Sequence, residues 1–363
     1  MHVTVVGAGV AGCAIAWELA SRGVTVQVVD PRGVGRGATF ASAGILAPRI
    51  EGHSAALLRL ALCSLGLYDG FISRLRRDVG TSLEYERSGT LQVAFGGSEI
   101  QELTAAAAEL AASHIPHSWL DARQAWRVEP GLSREIDGAL FVPEHGYVAV
   151  PTLVDALARA AQDRGVRFIT ARVDEVRGGT PPRVVASEAV DDSDVVVIAA
   201  GSWSSDLVSG SVHPAVVRPI RGQLLHLQTP TRAASRVLWG HECYVVPWHD
   251  GTVLVGATVE DVGFDETATV AGVQHLVRAA LRLLPSLEAA AFSAVRVGLR
   301  PMTADELPVI GSSSRMDGVV YATGHYRNGV LLAPLTALLV ADLVVHSRAR
   351  TELALTRPDR LGL

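Results

Sequence analysis

The chain opens with a short β-branched apolar run, His2 to Val6, that stops at a glycine. From Ala11 to Ala20 the apolar residues recur at helical spacing, Arg22-Gly23 closes that segment, and Val24 to Val29 is again continuously apolar. Strand, glycine turn, helix and buried strand within thirty residues predict a βαβ unit, and right-handed crossovers then place the strands in a parallel sheet covered on both faces. The middle of the chain follows another pattern. Ser88 to Phe95, Gly138 to Val150 and Arg221 to Leu227 read as strands separated by turn residues, and Tyr244 to Thr258 forms a second such block before a helix over Val270 to Leu284. Between these blocks an amphipathic helix over Thr152 to Asp163, a strand over Val166 to Val176 and the apolar run Asp194 to Ala200 resume the parallel sheet. The chain closes with a strand over Val319 to Thr323, Gly324 and an apolar helix. The expected class is α/β (α+β overall): a Rossmann-like domain with a parallel sheet, formed by 1–82, 151–218 and 311–363, plus an inserted, mainly antiparallel β domain formed by 83–150 and 219–310.

Composition narrows the chemistry. Apolar residues make up 48% and charged residues 19%, enough to bury a large core. With 32 basic and 37 acidic residues, a net charge of −5 and no basic stripe, a nucleic-acid partner is not expected. The 363 residues contain no lysine, which excludes Schiff-base chemistry on a lysine of this chain. Cys13, Cys63 and Cys243 form no C-x-x-C pair, so neither a disulfide framework nor a structural zinc site is expected, and a reducing cytoplasm suits them. The apolar stretch Gly329 to Val345 holds Pro334 and Asp342 and is too short for a membrane span; the first twenty residues lack the basic start of a signal peptide.

Gly7, Gly9 and Gly12 form G-x-G-x-x-G between the first strand and helix, where backbone N–H groups can approach a pyrophosphate. Asp30 ends the second strand, eighteen residues after Gly12, where a carboxylate accepts from ribose hydroxyls and repels a 2′-phosphate. An adenine dinucleotide other than NADP is expected. The small-residue run Gly35 to Leu46 would let the backbone pass close to a flat ring or a phosphate, although a surface loop has the same composition.

Five segments extend this reading over nearly the whole chain: R-G-A-T-F-A-S-A-G-I-L at 36 to 46, V-V-I-A-A-G-S-W-S at 196 to 204, H-E-C-Y-V-V-P at 241 to 247, V-G-L-R-P-M-T-A-D-E-L-P-V-I-G at 297 to 311 and T-G-H-Y-R-N-G-V-L-L-A-P at 323 to 334. With the N-terminal glycine motif they resemble the D-amino-acid oxidase superfamily of FAD-dependent amine oxidases, and within it the glycine oxidases linked to thiamine biosynthesis. The resemblance implies an FAD-binding first domain and a substrate-binding second one. It implies FAD contacts from Gly7, Gly9, Val10, Ala11, Gly12, Asp30, Pro31, Ala38, Thr39, Ser42, Ala43, Gly44, Val173, Ala200, Gly201, Trp203, His325, Tyr326, Arg327, Asn328, Gly329, Val330 and Leu331. Because 324 to 331 follows a strand and opens a helix, its N–H groups suit an anionic flavin edge.

Arg300 ends the apolar approach Val297-Gly298-Leu299, where a desolvated guanidinium calls for a bidentate anion. The resemblance makes that anion the α-carboxylate of a small amino-acid substrate, Tyr244 its second donor and Arg327 a third. The residues alone leave alternatives: a salt bridge from Arg300 to Asp305 or Glu306, sheet packing for Tyr244, and packed, noncatalytic roles for His241 and His325. Sarcosine-oxidase-type relatives attach flavin through a cysteine in the C-terminal third, and the last cysteine here is Cys243, so noncovalent FAD is expected. Relatives that activate oxygen with a lysine have no counterpart in this chain. Glu242 stands where a histidine can occur, and Val259 where a methionine can line the pocket. The activity implied is oxidation of glycine or another small amine or D-amino acid to the 2-oxo acid, ammonia and hydrogen peroxide, by hydride transfer from Cα to the flavin, with molecular oxygen as acceptor and the imine available to thiamine biosynthesis. A D-amino-acid dehydrogenase with another acceptor and a noncatalytic flavin-binding subunit stay open, and similar enzymes include homotetramers.

Overall fold

A computed structural model describes residues 1–48, 50, 54–208, 216–346 and 350–363. The six-stranded sheet runs in the order Val309–Ser312, Val319–Thr323, Val195–Ile198, His2–Val6, Thr25–Val29, Arg167–Ile169. Every neighbouring pair is parallel except the first, which is antiparallel. Strands buried on both faces explain the unbroken valine runs. The helix Val10–Ser21 is apolar nearly all round because helices Val150–Gln162 and Ala333–His346 flank it, and Trp17 and Ile15 are fully buried. Ala333–His346 is buried against it on the strength of the same all-round apolarity.

An eight-stranded sheet joins Ala291–Met302, Arg218–Gln228, Thr252–Gly256, Tyr244–Pro247, Val237–Trp239, Thr90–Ala94, Gly138–Val142 and Ser118–Asp121. It is antiparallel except where Val237–Trp239 runs parallel to Thr90–Ala94. Helix Val270–Leu283 covers one face through Leu276, Ala280 and Leu283, packed on Leu225, Val253 and Val255. A small sheet of Ile45–Leu46, Gly146–Val148 and Tyr85–Glu86 lies between the two larger ones in the chain's path.

Among the differences from the sequence reading, two concern the elements that frame the cleft and the core. The segment from Val166 to Val176 is not one strand: Arg167–Ile169 belongs to the parallel sheet, and Val173–Arg177 turns away to pair with Arg183–Ala186. The longest helix, Ala55–Val79, lies in a stretch where no element was expected. Its buried positions Leu57, Leu60, Ala61, Ser64, Leu65, Tyr68, Phe71, Ile72 and Leu75 follow helical spacing, but Gly66 and Gly70 interrupt the pattern. Among the described residues it is the one helix long and apolar enough to cross a membrane. Here it is a core helix: the Tyr68 hydroxyl donates to Val330 O at 2.5 Å and the Ser64 hydroxyl accepts from Leu335 N.

Asp342, the acid inside the C-terminal apolar stretch, is buried against Arg22 at 2.6 Å and against Arg350, while Arg22 also reaches Glu18 at 2.8 Å. Burial opposes the charge on Asp342, and hydrogen bonds from Arg22 and Arg350 overcome that, holding its carboxyl below the usual range. Asp342→Asn leaves Arg22 short of a counter-charge and is expected to lower the unfolding free energy by about 3 kcal/mol, read from urea denaturation. An unchanged midpoint would show that the network contributes nothing.

Candidate active site

At Gly7 the first strand turns into the helix with φ +112°, and a Cβ there would lie 2.4 Å from Ala199 O. That region of conformational space and that spacing admit only glycine. A Cβ on Gly12 would meet Gly7 O at 1.9 Å, so Gly12 brings the helix down onto the turn and, alone among the residues assigned to the cofactor from the sequence, does not line the cleft. The Thr39 hydroxyl accepts from Val10 N at 3.1 Å, tying the loop after the second strand to the helix start. Asp30 does more than face outward: one oxygen accepts from Ala8 N and the other from Arg32 N, each at 2.8 Å, so the carboxylate locks the glycine turn against the strand end.

The cleft that begins at this turn has a volume of about 1040 Å³. It is lined by Gly7, Gly9, Val10, Ala11, Asp30 and Pro31, by Ala38, Thr39, Ser42, Ala43 and Gly44, by Val173, Ala200, Gly201 and Trp203, and by His325, Tyr326, Arg327, Asn328, Gly329, Val330 and Leu331. Tyr244 and Arg300 lie in the same cleft. A backbone-rich turn at a helix start, a carboxylate at the strand end and a long wall of small residues fit an extended dinucleotide carrying a flat ring.

Arg300 and Tyr244 stand on one face of the eight-stranded sheet. Arg300 pairs with Ile220 and Tyr244 with Gly256, and Gly222 lies opposite Gly298. A Cβ on Gly222 would sit 2.3 Å from Arg300 Nη2 and 2.5 Å from Nη1, and one on Gly256 would sit 2.4 Å from the Tyr244 hydroxyl. Both side chains therefore lie flat across glycines of the neighbouring strands. Arg300 Nη1 donates to Thr258 O at 3.0 Å and to Arg221 O at 3.3 Å. The acid weighed as its partner, Asp305, instead pairs with Arg360 at 2.8 Å. Arg327 stacks over the ring of Tyr326, 5.0 Å from its centroid, and donates to its hydroxyl at 3.2 Å. Tyr326 holds φ +48°, a conformation sparsely used by residues with a Cβ, and its N–H donates to Pro301 O at 2.8 Å.

His325 is buried, bonded to the Thr336 hydroxyl at 3.0 Å, and desolvation pushes its pKa down to about 4. It is a neutral wall residue. His241 is exposed, 3.9 Å from Glu102. Cys243 lines the cleft as a protonated thiol, its pKa raised by burial to about 12.

Of the segment that leaves the sheet beside Tyr244, sequence reasoning marked Val259 as pocket-lining and missed 260–269. Val259 lines the cleft, Phe264 packs on Trp203 at 5.7 Å, and Glu266 takes two bonds from Arg32 Nη1 at 2.9 and 3.0 Å, with Arg32 also 4.2 Å over the Trp203 ring. A signal existed in the acidic residues Glu260, Asp261, Asp265 and Glu266 spaced along one short loop, each of which meets an arginine. Trp239, 5.0 Å from the Tyr244 ring, and Leu207 also line the cleft without having been marked.

Residues 2–343 match the family model described as DAO, FAD dependent oxidoreductase. The chain is 33% identical over 357 residues to the glycine oxidase of Geobacillus kaustophilus, covering 97% of this chain and 95% of that protein. The crystal structure of glycine oxidase from Geobacillus kaustophilus is similar with a TM-score of 0.91, covering 96% of this chain and 95% of that one. The bifunctional protein ThiO/ThiG of Nostoc sp. is 35% identical over 356 residues, which are 96% of this chain and 53% of that protein, so the chain spans about half the length of that relative.

Gly7→Ala is expected to abolish flavin retention, measured as flavin absorbance per protein after gel filtration, and to cost about 2–4 kcal/mol of stability through strain and the clash with Ala199 O; full occupancy would count against the placement of the cofactor turn. His325 has a folded pKa below its unfolded one, so the unfolded chain takes the proton first as pH falls. Its contribution is complete above about pH 6.5 and declines by up to about 3 kcal/mol as pH falls toward 4. In His325→Gln the stability profile between those values is expected to be flatter than in the parent, and parallel profiles would refute the assignment.

Proposed function

The chain belongs to the DAO family of FAD-dependent oxidoreductases, and from that premise we propose that it oxidises glycine or another small amino acid, with molecular oxygen as acceptor, to the 2-oxo acid, ammonia and hydrogen peroxide. One observation carries this reading: Arg300 and Tyr244 lie across Gly222 and Gly256 on one sheet face, in the cleft that the Gly7 turn opens. Bound FAD, held without a covalent bond by the turn at Gly7, the 38–44 wall and the 325–331 segment, supplies the hydride acceptor and the route of electrons to oxygen.

The chain's own residues bind and orient. Arg300 offers a guanidinium whose rotation is fixed by two carbonyls, so a substrate carboxylate meets donors already in place. Tyr244 supplies a hydroxyl from a strand separated from that of Arg300 by two others, and Arg327, braced on Tyr326, adds positive charge to the same cleft. The 38–44 and 325–331 segments line the same cleft as these donors. Val259, Trp239 and neutral His325 add apolar or uncharged surface that keeps water from the reacting carbon. The likeness to ThiO/ThiG proteins favours a place in thiamine biosynthesis, where the imino acid would be used before water hydrolyses it.

Oxygen uptake by the FAD-saturated protein, measured with glycine, D-alanine, D-proline and sarcosine in parallel, tests the reading. Uptake with peroxide release is expected for at least one of them. No uptake, with turnover restored by an artificial acceptor under nitrogen, would replace the oxidase with a dehydrogenase. Arg300→Ala is expected to raise KM by about ten- to a hundred-fold, the equivalent of one or two charge-assisted bonds, with flavin content unchanged. Normal KM in that variant would overturn the carboxylate assignment.

A further inference from the structure

Arg300 is oriented by carbonyls of two residues, Arg221 and Thr258, that are not neighbours in sequence. One carboxylate ties the residues that carry those two carbonyls to each other, alongside the backbone bonds between their two segments. Glu260 Oε1 accepts from the Thr258 hydroxyl at 2.6 Å and from Gln223 Nε2 at 2.8 Å, and Oε2 accepts from Arg221 Nη2 at 2.6 Å. The backbone closes the same unit: Arg221 N donates to Glu260 O at 2.8 Å, Glu260 N donates to Arg221 O at 3.0 Å, and Gln223 N donates to the Thr258 hydroxyl at 2.9 Å. Arg221 O thus accepts from both Glu260 N and Arg300. Glu260 itself does not line the cleft. Arg221 and Gln223 alternate with Gly222, so they leave the strand on the side away from Arg300, where Gln223 rests against Gly272 of the helix Val270–Leu283.

We propose that Glu260 is a positioning residue for substrate carboxylates: from behind the sheet it fixes the Thr258 and Arg221 carbonyls and, through them, the guanidinium plane of Arg300. The inference rests on the reading of Arg300 as the carboxylate-binding residue. Three donors converge on the Glu260 carboxylate in a partly buried setting, where such bonds are strong and the loss of one leaves the others mismatched. Surface attraction alone would not require the hydroxyl and the amide to share one oxygen. The same loop carries Val259 into the cleft, so a shift at Glu260 moves the apolar wall and the Arg300 anchor together.

The test uses FAD-loaded protein and Glu260→Gln, which keeps the shape but presents an amide to three donors, together with Thr258→Ala, which removes one of them and disturbs the fold less. Acetate serves as the carboxylate probe, followed by its perturbation of the flavin spectrum, alongside KM and kcat for the amino acid that supports oxygen uptake. Glu260→Gln is expected to weaken acetate and raise KM by roughly ten- to a hundred-fold, the loss that follows when an anchoring group moves by about an ångström, with kcat at saturation and flavin content little changed. Thr258→Ala shifts both in the same direction, less far. Glu260→Asp recovers part of the acetate affinity, which a merely structural role would not restore without restoring thermal stability equally. Unchanged acetate affinity in folded Glu260→Gln, or in Thr258→Ala should the first not fold, would overturn the proposal. If Arg300→Ala also leaves acetate binding intact, the reading of Arg300 fails first; if Arg300→Ala abolishes it and the Glu260 and Thr258 variants do not, only the positioning role fails.

Discussion

The antiparallel ladder between Arg218–Gln228 and Ala291–Met302 is the constraint on which the cleft depends. It pairs eleven positions, with one irregularity at His226/Leu227. The register puts Arg300 beside Ile220 and within reach of Gly222, and puts Gly298 where its missing Cβ admits the 38–41 segment, since a Cβ there would stand 2.8 Å from Ala41 Cβ and 3.1 Å from Ala38 Cα. Leu299, on the alternate side, accepts from the Ser202 hydroxyl at 2.9 Å. One ladder therefore sets the position of Arg300, the approach of the small-residue run 38–41 and a tie to the turn after the Val195–Ile198 strand. A slip of one residue would turn the Arg300 side chain to the opposite face of the sheet and bring the Leu299 side chain to the face that Arg300 now occupies. Such a slip would also withdraw the Arg300 guanidinium from the Thr258 and Arg221 carbonyls to which it donates, so the register is strongly specified.

What the residues disclosed in advance follows the same physics. Local signals were readable where one element carries its own explanation: the glycine turn between His2–Val6 and Val10–Ser21, the doubly buried valine strands, and the strand Val319–Thr323 with its glycine exit. Cleft residues were readable where a motif is contiguous in sequence, as in 325–331. The parts that escaped depend on distant partners. Ala55–Val79 has an apolar stripe, but its helical identity is masked by two internal glycines whose cost is met by packing on two other helices. The break between Ile169 and Val173 exists because the two halves pair with different strands. Gly222 and Gly256 carry no motif at all; their meaning appears only when Arg300 and Tyr244 come to lie on them.

The absence of lysine shapes the electrostatics of this molecule. Every strong cation is a guanidinium, and arginine, planar and weakly hydrated, can both pair with a carboxylate and lie on a ring. Both uses occur at the cleft: Arg32 holds Glu266 while stacked over Trp203, and Arg327 lies over Tyr326. Arg296 is half-buried over Phe40, 4.9 Å from the ring centroid, and burial lowers its pKa while leaving it charged. A lysine ammonium in those places would lose more hydration and could not lay a planar group on the ring while pairing with a carboxylate. The same residue type thus supplies the proposed carboxylate anchor, the stack on Tyr326 and the fastening of the acidic loop 260–266.

Asp30 and Glu260 show how a carboxylate can serve a site without touching the reacting atoms. Each accepts from donors on separate pieces of chain, Ala8 and Arg32 in one case, Thr258, Gln223 and Arg221 in the other. Burial works against the charge of Glu260, and the three donors outweigh it, so its carboxyl lies below the usual range and the hub stays ionised wherever the protein is folded near neutrality. A neutral amide at that position would offer donors to donors. The geometry of Arg300 therefore depends on a charge located behind the sheet, and the substrate face can keep its flat glycine bed because the polar scaffold that orients its guanidinium is built on the opposite side.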